Sequence, residues 1–135
     1  MPAAHRIDRE QRVVLSRLWG DLTVAEIEAH RQAIRADPDF APSHRYIVDM
    51  RHVTTLGYPS ARVRHVAGAP SFRGEQRRAI VASTDEQFGV ARLFATYAAL
   101  EGEVIEVFRE WVPAVDWLGL TGELARDPAE VVTAE

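Results

Sequence analysis

The residue types best suited to chemistry sit in one short stretch, Tyr46-Ile47-Val48-Asp49-Met50-Arg51-His52-Val53. A carboxylate, a guanidinium and an imidazole this close together could act as base, anion clamp and acid if Asp49, Arg51 and His52 share a pocket. Ser83, Thr84 and Arg109 form a second polar set. With Arg51 or Arg109 as the clamp, and a helix beginning at Thr84, the two sets would suit a small anion or carboxylate. A plainer reading competes: Asp49 pairs with an arginine, Ser83 and Thr84 cap a helix, and His52 is solvated. The plainer reading is preferred.

Other chemistries lack their residues. There is no Cys, which excludes disulfides, thiol catalysis and thiolate metal sites, and suits a reducing cytoplasm. All basic residues are Arg, so Schiff-base and P-loop lysines are excluded; the bland cause is a GC-rich genome. His5, His30, His44, His52 and His65 show no H-x-x-x-H spacing, and no metal is expected. Neither a G-x-S-x-G elbow nor a G-x-G-x-x-G or Walker loop occurs, so no cofactor is expected. Glu26 and Glu28, like Glu101, Glu103 and Glu106, read as solvated charges rather than an acid/base pair. The formal charge of −4 opposes nucleic-acid binding. No apolar run reaches a membrane span and the start lacks a signal peptide's apolar core, so a cytoplasmic protein without membrane contact is expected.

The elements that position these residues follow from punctuation and periodicity. Ile7 to Asp8 and Arg12 to Trp19 read as short strands joined by a polar turn, with Gly20 and Asp21 ending the pattern. Thr23-Val-Ala-Glu26 is a capping box opening a helix with the stripe Val24, Ile27, Arg31 and Ile34. His30 sits on its flank, half-buried. Asp37-Pro38 ends that helix, because the residue before proline is driven out of the α region. Tyr46-Ile47-Val48 is a β-branched run of the kind buried on both faces, and Asp49 and Arg51 fall where that central strand should stop. Pro59 suits the first turn of a further helix carrying Val63 and Val66. Arg78 to Ala82 and Val104 to Phe108 are strands. Between them Thr84 and Gln87 form a second capping box for a helix to about Leu100. Pro113 starts a short helix with Val115, Trp117 and Leu118; a poorly ordered tail, with one possible turn at residues 127–132, follows Gly119.

The order ββα-βα-βα-βα predicts one α/β domain over residues 1–119 and a tail over 120–135. Its sheet is five-stranded, mixed and mostly parallel, with an antiparallel N-terminal hairpin and about four helices. In the helix from 84 to 100, Phe88, Val90, Phe94 and Tyr97 leave little of the circumference polar. Cover by the C-terminal segment or a second subunit is expected. Trp111, between a charged pair and a proline, is the aromatic residue expected to be exposed for partner contact.

This order, with Ile7-Asp8-Arg9 leading into Val13-Val14-Leu15-Ser16 and then Val48-Asp49-Met50-Arg51, resembles the SpoIIAA-like proteins of the STAS/SEC14 group. Ala79 to Ala82, Phe108-Arg109 and Ala114 to Leu118 carry the resemblance onward, over residues 5 to 119. It implies a non-enzymatic regulatory module that binds a protein partner, or a homodimer. Members related to anti-sigma-factor antagonists are switched by phosphorylation of a serine in an Asp-Ser-Ser-Gly pattern. Here Gly57-Tyr58-Pro59-Ser60 stands at that place, a departure that puts the switch in doubt. Tyr58 and Ser60 therefore join Asp49, Arg51, His52, Ser83, Thr84 and Arg109 as the expected partner or ligand surface. The SEC14 side implies an alternative, a small-ligand or lipid-binding domain with an apolar cavity under the helix from 84 to 100. An enzyme using Asp49, Arg51 and His52 ranks third.

Overall fold

The computed structural model describes residues 3–56 and 76–126. Five strands form one sheet: β1 (Ala3–Asp8), β2 (Val13–Leu22), β3 (Arg45–Leu56), β4 (Arg77–Val81) and β5 (Val104–Phe108). Their spatial order is β1-β2-β3-β4-β5. β1 and β2 pair antiparallel; every later pair is parallel. The described residues also form three helices, α1 (Val24–Ala36), α2 (Asp85–Leu100) and α3 (Trp111–Leu118), and a 3-10 turn at Gly122–Ala125. The fourth helix expected over residues 59–67 lies outside the described residues, as do Tyr58, Ser60 and the turn at 127–132.

Local chemistry explains most element ends. Both capping boxes form: Thr23 with Glu26 starts α1, and Thr84 with Gln87 starts α2. α1 stops at Asp37 as the following proline requires. Gly119, at φ +72°, closes α3 in the left-handed conformation that glycine adopts without penalty. The arginine beside it locks the ends of two elements together, because Arg45 donates to the backbone carbonyls of Leu118 and Gln11.

β3 is the middle strand, and its alternation separates two cores. Leu15, Ile47 and Ala79 adjoin across β2, β3 and β4 and pack with Trp111, Ala114, Val115 and Leu118 of α3. Met50 and Ile80 point the other way, toward Ile27 of α1 and Phe88, Ala91 and Phe94 of α2.

Several sequence expectations change here. β2 does not break at Gly20 and Asp21; register shifts at Arg17/Trp19 and Gly20/Asp21, with Gly20 at φ +68°, let it run to Leu22. β3 does not stop near Asp49 but continues to Leu56, because β2 pairs with it throughout. The core passes the expected boundary at Gly119: Leu120 and Leu124 are buried against α3. Those residues lie on the sheet face opposite α2, so the C-terminal segment does not cover α2 among the described residues. Phe88, Val90, Phe94 and Tyr97 are half-buried, and Leu100 is 75% exposed. Trp111 is not a surface residue. At 5% exposure it is part of the core, since it opens α3 on the packed side of the helix.

One buried polar chain ties α1 to the sheet. The Tyr46 hydroxyl donates to Ser16 Oγ at 2.8 Å, and Ser16 Oγ lies 2.7 Å from His30 Nε2. Ser16 Oγ, which accepts from Tyr46, can donate to a neutral Nε2 or accept a second time from Nε2–H, the imidazole tautomer setting which. Burial, with His5 beside it, pushes the His30 imidazole down to about 4. Its folded pKa is therefore depressed, so the unfolded chain takes up the proton first as pH falls. Stability from this residue is complete above about pH 6.5 and is lost progressively toward pH 4, by roughly 3 kcal/mol. His30→Gln keeps an acceptor for Ser16 and removes the titration. Urea unfolding at a series of pH values should show the wild type losing its advantage over His30→Gln below about pH 6.5; a constant gap would contradict the assignment.

Candidate functional site

β3 carries Asp49 and Arg51 two residues apart, at the register shift where it gains a residue on β2 between Asp49 and His52. Asp49 is fully buried, so its carboxylate needs a partner at once. Arg51 supplies it: Nε donates to Oδ1 at 2.8 Å and Nη2 to Oδ2 at 3.2 Å, while the Arg51 backbone N–H reaches Oδ1 at 3.0 Å. Both carboxylate oxygens are thus held by the residue two places along. Arg17 of β2 is in register with Asp49, and its guanidinium lies 5.8 Å from the Trp19 ring centroid. His52, the next residue along, is exposed.

Gln87 organises the neighbouring strand ends. It is 4% exposed on the first turn of α2. Its carbonyl oxygen accepts from the backbone N–H groups of Ser83 and Thr84, at 3.0 and 3.1 Å. Its amide nitrogen donates to the carbonyls of Val53 and Arg51, at 2.8 and 3.2 Å. One side chain therefore joins the end of β4, the start of α2 and the middle of β3. The capping-box pattern locates Gln87, yet its bond to β3 escapes sequence reasoning. The available signal is glutamine in place of glutamate, since only the amide can donate.

The sequence-selected residues separate into three positions. Arg51, His52 and Thr84 line one groove of about 510 Å³ with Val53, Thr54, Glu86 and Gln87. Asp49 lies beneath the surface. Arg109 turns to the outer side of α2, where it donates to the Ser83 carbonyl and pairs with Asp85 at 2.9 Å while stacking 4.2 Å over Phe88. Asp49, Ser83 and Arg109 do not line the groove. The single crevice expected from all six does not form.

A second concavity opens on the α2 side of the sheet. α1 and α2 leave a cavity of about 110 Å³ whose walls include Leu18, Leu22, Ile27, Val48, Met50 and Phe94. His30, Arg31, Tyr46 and Arg78 lie around its polar end. Arg78 is 8% exposed and pairs with Glu103 at 2.6 Å. Burial lowers the pKa of both Arg31 and Arg78, and raises that of Tyr46. Among the described residues, no group of three or more His, Cys, Asp or Glu could hold a metal ion. No described helix is long and apolar enough to cross a membrane.

Replacing Gln87 by Leu strands two buried carbonyls and two N–H groups, so the variant should lose about 2–4 kcal/mol in chemical denaturation. Gln87→Glu keeps the acceptor and loses the donor, and should fall between. Equal stability of all three proteins would show that Gln87 does not join β3 to α2.

No family model matches the chain, and no curated protein does. Among solved structures, it is similar to an uncharacterised protein of the DUF3478 family with a SpoIIAA-like fold from Shewanella loihica PV-4. The TM-score is 0.58 at 19% identity, covering 86% of this chain and 93% of that one. With the strand order and the parallel β2–β5 pairing, this likeness identifies the chain's fold as SpoIIAA-like.

Proposed function

We propose that the protein is a non-enzymatic, cytoplasmic interaction and regulatory module that docks a protein partner on the groove beside the β3 end and the α2 start. One observation carries this reading: the polar groups that chemistry would use are engaged in holding the backbone. Asp49 is clasped by Arg51, Gln87 is divided between β3 and the α2 cap, and Arg109 serves the Ser83 carbonyl. What faces outward is a mixed surface of His52, Thr54, Thr84 and Glu86, the composition of a docking rim rather than a reaction centre. The SpoIIAA-like fold supports the reading only as analogy, since one fold hosts many functions.

A second reading has its own support. The cavity under α2 is where a small-ligand domain would hold an apolar molecule, and its walls are mainly aliphatic and aromatic. At about 110 Å³ it suits a small ligand rather than a whole lipid.

His52→Glu and Thr54→Arg change exposed side chains and should shift stability by less than about 0.5 kcal/mol. Cross-linked complexes recovered with the wild type should fall at least about tenfold with the double variant, if rim contacts supply a kcal/mol or more. Identical recovery would remove the docking face. A catalytic activity abolished by both Asp49→Asn and His52→Ala would overturn the non-enzymatic reading.

A further inference from the structure

β5 is an edge of the sheet: among the described residues it pairs with β4 and no strand pairs with its other side. Successive residues of a strand turn their N–H and C=O groups to opposite neighbours. The Phe108 carbonyl accepts from the Ala82 N–H at 2.8 Å, so Val104, Glu106 and Phe108 address β4, and Ile105 and Val107 turn theirs outward. The side chains of Ile105 and Val107 pack on the α2 side of the sheet with Ile80 and Phe94. Beside them lies an open groove of about 230 Å³, bordered by residues 105–107 and by Arg92, Ala95, Thr96 and Ala99 of α2. The small side chains of Ala95 and Ala99 leave that space. Glu106 belongs to the opposite face by strand alternation, since its register partner Ala79 packs in the α3 core. It is exposed and, among the described residues, makes no hydrogen bond or ion pair. Arg77, on that same face, is taken up by Trp117: it lies 5.1 Å over the ring, and Nη1 donates to the Trp117 carbonyl at 2.8 Å.

We propose that β5 accepts an extended segment of a protein partner as an added antiparallel strand, one in which a basic residue stands between two apolar ones. The outward N–H and C=O groups of Ile105 and Val107 supply the backbone bonds, as in other cases of strand addition. The partner residues opposite Ile105 and Val107 point to the α2 side, where the groove takes apolar side chains. The residue between them stands opposite Glu106 in a non-hydrogen-bonded pair, where side chains are closest and opposite charges stabilise. A second copy of this chain fits poorly. The register that uses both outward residues of each copy sets Glu106 against Glu106, and like charges directly opposite are the means by which edges resist self-pairing. This edge lies across β4 from β3, so its occupation does not require the groove beside the β3 end.

The probes are the capped peptide Ac-Thr-Val-Arg-Val-Thr-NH2 and its counterpart with Glu in place of Arg. Each is titrated into the full chain while the backbone amide NMR signals of Ile105 and Val107 are followed. Saturable shifts of those amides with the Arg peptide, and affinity for the Glu peptide weaker by about fivefold or more, are expected. Glu106→Arg, an exposed change, should reverse the order of the two peptides. An Arg peptide N-methylated at both valines lacks the donors for Ile105 and Val107 and should not bind. Equal affinities of the Arg and Glu peptides in the wild type would overturn the basic-partner assignment. Undiminished binding of the methylated peptide would overturn strand addition. Shifts of Ile105 and Val107 on concentrating the protein alone would place a second copy on the edge and overturn the choice of occupant. No shift with the Arg peptide at about 10 mM would remove the site and leave the groove beside β3 untouched. The peptide comparisons need only the wild type, so they decide even if Glu106→Arg fails to fold.

Discussion

A strand packed on both faces cannot leave a polar group to water, and β3 carries four such groups along its length. Tyr46 is answered by Ser16 and, through it, by His30 of α1. Asp49 is answered by Arg51 on its own strand. The carbonyls of Arg51 and Val53 are answered by Gln87 of α2. The answers to Tyr46 and to the two carbonyls come from α1 and α2, so satisfying one strand fixes where those helices can lie. The apolar packing on either side is less particular, since many arrangements of aliphatic side chains fill a similar volume. Specificity of the fold rests on these polar pairings, and its stability on the two cores.

The same constraint shapes what the surface offers. An Asp, an Arg, a Ser and a Gln near the carboxyl ends of parallel strands form the inventory of a catalytic crevice. Here most of them are consumed in satisfying the backbone and one another. The groove keeps the exposed members, His52, Thr54 and Glu86, with Arg51 and Thr84 at its wall. On the α2 side, small residues such as Ala91 bring the helix close to the sheet while Phe94 holds it off, and the space between becomes the apolar cavity. Its charged end arises because Tyr46 and Arg78 start adjacent strands in register. Residues separated by 32 positions in sequence become neighbours through parallel pairing alone.

Much of this protein is legible without coordinates, for local reasons. The capping boxes at Thr23 and Thr84 mark helix starts because side chain and backbone within four residues satisfy each other. Asp37-Pro38 marks a helix end by steric clash between neighbours. Alternation of strands with helices and the β-branched run at Ile47-Val48 imply a parallel sheet with β3 inside it, and the strand order agrees. Pairing of Asp49 with an arginine is also readable, since a carboxylate in so apolar a run needs a cation.

What only the tertiary structure decided is everything that depends on distant partners. β3 extends to Leu56 because β2 runs beside it, with β3 gaining a residue on β2 at each of two register shifts. Trp111 is buried, and Leu120 and Leu124 join it, because α3 folds onto the sheet face away from α2. His30 is enclosed because Ser16 and His5 meet it from β2 and β1, and burial, with His5 beside it, lowers its pKa. Arg31, Tyr46 and Arg78 look like isolated polar residues until α1, β3 and β4 place them around one cavity. Sequence alone determines what is settled within a turn of helix or along one strand, where the competing energies are local. Which side chains are buried, and which of them face a common space, is decided by pairings that close only when the whole sheet has formed.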